Sequence, residues 1–166
     1  MDDVPAATSR PTRKDIAEFY RLALLSGLCT PTQIVTWADL IVAADEHPDD
    51  VFLDLACCGR MRLDAIRTLL GKVPGAATSN LPGNLLLGHA CRVLDAGGIS
   101  APELLVRILE LAKADLPGPD AANELDRLDD ALFLARDDIY GPVEQVYADF
   151  ARFLNGYAGY GSVFPG

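Results

Sequence analysis

The chain has 166 residues, half of them hydrophobic and 23% charged, and its 24 acidic side chains against 14 basic ones leave a net charge of −10. This composition excludes a disordered tail or a fibre and describes one globular domain, long enough to bury a core without a metal or disulfide staple. The charge opposes nucleic acid as a partner, since attraction to a phosphate backbone comes from Lys and Arg.

Residues 1–11 are polar and Pro-containing and read as a loose leader. Their start, Met1-Asp2-Asp3-Val4-Pro5, lacks the basic and apolar regions of a secretory signal, so export by that route is not expected. Thr12-Arg13-Lys14-Asp15 approximates a capping pattern. Ile16, Phe19, Tyr20, Ala23 and Leu24 then repeat at helical spacing until Gly27. Thr30-Pro31-Thr32-Gln33 opens a second helix, with a hydroxyl cap and proline at the first helical position; Ile34, Trp37, Ala38, Ile41 and Val42 form its stripe. His47-Pro48 ends it, because a residue before proline is pushed off helical angles. A third helix runs from Pro48-Asp49-Asp50 to about Gly59, and a fourth from Arg60 to Leu70.

After the loop from Gly71 to Asn80, Leu85 to Leu94 is apolar on nearly all sides and reads as a central buried helix ended by Gly97-Gly98. Ser100-Ala101-Pro102-Glu103 is a capping box for the sixth helix, which Leu116-Pro117-Gly118-Pro119 stops. The last two helices span Asp120 to Tyr140 and Val143 to Leu154. No run alternates as a strand does. The fold expected is all-α, about eight helices in a bundle or stacked helical hairpins, with one domain over 12–154 and a Gly/Tyr-rich tail over 155–166. The tail's aromatics can dock on a partner or pack back on the parent domain. The uncharged stretches Leu22–Ala38 and Val73–Cys91 are too polar or too rich in Pro and Gly to span a membrane.

A shift of 71 positions places Gly27-Leu28 on Gly98-Ile99, Pro31 on Pro102 and Pro48-Asp49 on Pro119-Asp120. The two halves therefore punctuate alike, as an internal two-fold repeat would, although the matched residues are those any helix end uses.

Cys29, Cys57, Cys58 and Cys91 form no CxxC pair and have no His at zinc-site spacing, so all four read as reduced thiols, which suits a cytoplasmic setting. His89 reads as a core histidine and His47 as a helix-ending residue. No sequence signature of a hydrolase, zinc protease or phosphate-binding loop is present, and no cofactor is expected. Trp37 reads as core packing. The helix holding Trp37-Ala38-Asp39, preceded by Gly27-Leu28 and Pro31 and followed by Pro48 and an apolar helix, resembles small uncharacterised bacterial all-α proteins over residues 16–58. The resemblance carries no activity and implies only a bacterial, cytosolic setting.

Charge is the strongest pointer to function. Six acidic residues and no basic ones lie from Asp39 to Asp54, and eight acidic residues face only Arg127 and Arg136 from Asp115 to Asp138. The candidate partner-binding residues are Asp45, Glu46, Asp49 and Asp50 in the first block and Asp126, Asp129, Asp130 and Asp137 in the second. If the halves repeat, these blocks fall on corresponding helices and can build one negative surface that speeds encounter with a basic protein. Arg60, Arg62, Arg67 and Lys72 form a smaller opposite patch. The leading expectation is a protein-binding module, with an immunity protein or antitoxin that covers a basic toxin as its concrete form. The alternatives are a helical adaptor that takes a peptide into an apolar groove lined by side chains such as Leu105 and Phe133, and a carboxylate metal protein or enzyme. The oligomeric state is not legible.

Overall fold

A computed structural model describes residues 10–113, 119–139 and 141–162, so the leader reading lies almost wholly outside the described residues. Among these residues the chain is all-helical, with no strand. The helices are α1 (Arg13–Leu25), α2 (Pro31–Ala44), α3 (Asp50–Ala56), α4 (Leu63–Gly71), α5 (Leu81–Asp95), α6 (Ala101–Ala112), α7 (Pro119–Arg136), α8 (Val143–Asn155) and the short α9 (Ala158–Gly161). A 3₁₀ turn at Cys58–Arg60 separates α3 from α4.

Local chemistry sets most of these boundaries. Thr12 Oγ1 accepts from the Asp15 amide at 3.1 Å while the Asp15 carboxylate accepts from the Thr12 amide at 2.8 Å, a closed capping box at the start of α1. At α2 the Thr30 amide donates to Gln33 Oε1 at 2.9 Å, and at α6 Ser100 Oγ accepts from the Glu103 amide. α5 starts earlier than its apolar run suggests. Asn80 turns the chain in the left-handed region at φ 64°, and Pro82 then sits in the first turn, where its missing N–H costs nothing.

Three helices end alike, with an amide reaching back five residues to cover an orphaned carbonyl: Leu28 to Ala23 at 2.8 Å, Gly98 to Val93 at 3.0 Å and Ile139 to Leu134 at 3.0 Å. The residue before the donor has positive φ in each, Gly27, Gly97 and Asp138. The glycine turns of the two halves thus correspond as Gly27 with Gly97, and their helix caps as Thr30 with Ser100. This register is one residue shorter than the alignment of Gly27 with Gly98. The sequence offers two adjacent glycines there, and only Gly97 takes the left-handed turn.

The principal helix pairings also repeat. α1 packs on α4, α2 on α3 and α3 on α4; in the second half α5 packs on α8, α6 on α7 and α7 on α8, with α6 against α8 in addition. The halves join where α1 lies against α5. Phe19 and His89 meet there edge to face at 5.6 Å, at positions that correspond in the register set by the turns. α1 is a shared wall, with Ala17 and Leu24 in the core of the first half and Phe19 and Ala23 in that of the second. α5 is buried along most of its length through Leu85, Leu86, Leu87, Ala90 and Cys91, as the apolar run predicts.

Each half is closed by the segment after its fourth helix. In the first half Thr78 returns to Asp15 on α1. In the second, α9 lies on α5, with Arg92 Nη1 donating to the Gly161 carbonyl at 2.7 Å and Tyr157 and Tyr160 half-buried. The tail set apart at residue 155 therefore packs on its own domain as far as Gly161.

Candidate functional site

α7 buries Ala121, Leu125, Leu128, Leu132 and Ala135, spaced by three and four residues, against the second core. At 3.6 residues per turn the side turned away from the core centres on residue 130, with 126, 127, 133 and 137 about it and 129 on its flank. Asp126, Asp129, Asp130 and Asp137 all stand exposed there. Arg127 shares this outward side but is engaged: it grips Glu124 through two hydrogen bonds of 2.6 and 3.0 Å, which keeps the Glu124 carboxyl below its usual range. Among the described residues this is the ion pair of α7, and none of the four outward aspartates joins one. Asp137 also caps the helix end, and Asp138 follows in the left-handed turn.

The first block is arranged differently. Asp45 ends α2 and is bound by Arg13 at 2.9 Å; this bond, with the His47 amide at 3.1 Å, holds its carboxyl below the usual value. Its charge is already balanced by a cation that also lies over the Phe52 ring. Asp49 and Asp50 begin α3, where carboxylates favour the helix dipole, and both are exposed, as is Glu46. The structure thus puts the blocks on different halves, the second along α7 and the first split between the end of α2 (Asp45, Glu46) and the start of α3 (Asp49, Asp50). Of the eight candidates, Asp45 alone is engaged in an ion pair among the described residues.

Other candidate groups are structural. The Cys29 thiol is pushed up to about 12 by burial, and burial raises those of Cys58 and Cys91 as well, which disfavours the reactive thiolate. All four cysteines are free; Cys57 is exposed rather than in the core. His89 Nε2 lies 2.9 Å from the Leu28 carbonyl, in the interface between halves. Trp37 packs against Tyr20 and Phe52. Arg62 of the basic patch pairs with Asp64, two residues on, at 3.3 Å. Among the described residues no three His, Cys, Asp or Glu side chains converge to hold a metal ion. No described helix is long and apolar enough to cross a membrane.

The apolar groove expected around Leu105 is not formed by that residue, which is 0% exposed in the second core. Its position on the broad apolar face of α6 gave no sign of which apolar residues α7 and α8 would cover. Phe133, by contrast, is 66% exposed in the middle of the α7 aspartates. The α7 spacing held this signal: the residue falls outside the buried stripe and on the acidic one. Asp15, absent from the expected sites, is the most deeply buried carboxylate of the described residues at 1% exposure.

No family model, curated protein or solved structure matches this chain.

Proposed function

We propose that the protein is a non-enzymatic binding module whose acidic α7 face docks on a basic protein, with an immunity protein or antitoxin as its concrete form. The observation that supports this reading is the set of three outward aspartates on α7, with Asp137 just past its end, that form no ion pair among the described residues, in a chain of net charge −10. Unpaired like charges on one helix face repel one another and lower the stability of the free protein. A cationic partner relieves that repulsion, and the field of the face raises its rate of encounter. A compact acidic domain of this kind inhibits a basic toxin by covering the surface that holds the toxin's substrate. The reading sets the protein in the cytoplasm of a bacterium, where its free thiols stay reduced.

The test is a pull-down from the native host at low salt, eluted with a salt gradient, followed by association kinetics with the purified partner. The on-rate is expected to fall steeply with ionic strength and on changing Asp126, Asp129 and Asp130 together to Asn. Binding indifferent both to salt and to those changes overturns the reading.

A further inference from the structure

We infer that Phe133 is the anchor of the α7 face, seated in an apolar socket of the partner whose rim of Lys and Arg meets Asp126, Asp129, Asp130 and Asp137; this rests on the acidic-face reading above. The ring is 66% exposed on a helix whose Leu132, one residue away, is 3% exposed. The helix therefore has a core in which to bury apolar side chains and still holds this one out. Asp129 and Asp130 lie one turn before it, at i−4 and i−3, and Asp137 one turn after it at i+4, beside the exposed Arg136 at i+3. An aromatic side chain ringed by charge is the usual make-up of an interface centre: the ring supplies buried area with little entropy to lose, and the rim supplies orientation.

The chemistry around the ring selects the occupant. A second copy of this chain docked face to face brings the same carboxylates against these and is repelled, and a phosphate-rich lipid or nucleic acid surface is repelled likewise. A cationic surface without a cavity answers the aspartates but leaves the ring in water. A basic surface with an apolar hole answers both.

The probes are a helical peptide with a leucine seam flanked by lysines, and a polylysine of matched charge, each titrated at low salt into the full chain. The seamed peptide is expected to bind about tenfold more tightly than polylysine, as one well-buried aromatic anchor implies. Phe133→Ser should remove that advantage and leave both polylysine binding and the thermal midpoint unchanged, while Phe133→Trp should keep it. Equal binding of the two peptides, unmoved by F133S but weakened by the triple Asn variant, overturns the anchor and leaves the acidic face standing. Binding of neither peptide, or binding unmoved by the triple Asn variant, overturns both. A concentration-dependent dimer of the wild type that F133S abolishes assigns the ring to a second copy and overturns the proposal.

Discussion

Gly88 on α5 and Gly161 on α9 meet backbone to backbone. A Cβ built on Gly88 would stand 2.5 Å from the Gly161 nitrogen and 2.7 Å from the Tyr157 carbonyl oxygen, and one on Gly161 would stand 2.6 Å from the Gly88 oxygen. Neither backbone can yield without moving α9 off its helix. Gly88→Ala is therefore expected to destabilise the fold by about 2 kcal/mol, within the range for overpacking a closed contact. It should also raise hydrogen exchange at residues 156–162. Gly159→Ala is the control: its Cβ would meet nothing within 4 Å, and the change should be neutral or mildly stabilising. Equal effects of the two would show that the contact does not hold α9 in place.

Asp15 fastens the loop of residues 72–80 to α1. Its carboxylate accepts from the Thr78 amide at 2.6 Å and hydroxyl at 3.2 Å, and from the Thr12 amide at 2.8 Å and hydroxyl at 2.9 Å. Burial pushes this carboxyl up, but the bonds from Thr78 and Thr12 outweigh it and hold the group below its ordinary 3.8. With the folded value below the unfolded one, this stabilisation is complete above the unfolded value and is lost as pH falls through the folded one. Asp15→Ala removes half of the capping box and the charged acceptor of four partly buried hydrogen bonds, and should cost about 2 kcal/mol at neutral pH. Urea melts at pH 7 and pH 3 check both points, since the gap between wild type and variant should shrink in acid.

Asp138 takes the left-handed turn after α7 at φ 55°, the position that glycine fills at Gly27 and Gly97. A side chain is strained there, although Asp bears it better than most. Asp138→Gly is expected to stabilise the protein by about 0.5–1 kcal/mol, the relief of strain being offset in part by the greater freedom of the unfolded chain. A rise in the urea midpoint without a change in slope is the reading to look for.

The four thiols should separate by access. Cys57 is exposed, Cys29 is half-buried with its thiol pushed up to about 12, and Cys58 and Cys91 are buried. Titration of the native protein with a thiol reagent should show one fast equivalent that Cys57→Ser removes, and the others should react only as the fold opens.

The helix order was legible because its signals are short-range. Thr12 with Asp15, Ser100 with Glu103, and the glycines after α1 and α5 act within one turn of the residues they cap. The short α3 was overrun in the reading, since the 3₁₀ turn at Cys58–Arg60 carries no distinctive residue pattern. The early start of α5 was hidden because Pro82, Gly83 and Asn84 interrupt the apolar run that marks the helix from Leu85, and the turn at Asn80 is what places them in its first turn. The repeat was visible in its punctuation but set one residue off, since adjacent glycines look alike until one of them adopts positive φ.

Composition and periodicity alone determined the all-α class, the helix caps and the excess of carboxylates, because each depends on residue types and on neighbours within a few positions. Tertiary structure decided what those residues face. It placed Leu105 in the core and Phe133 in water, bound Asp45 to Arg13 while leaving the α7 aspartates outward, buried Asp15 under Thr78, and required Gly88 to have no side chain. The reason is physical: the partner in each case comes from a distant part of the chain, and only the packing of one helix on another brings it within reach.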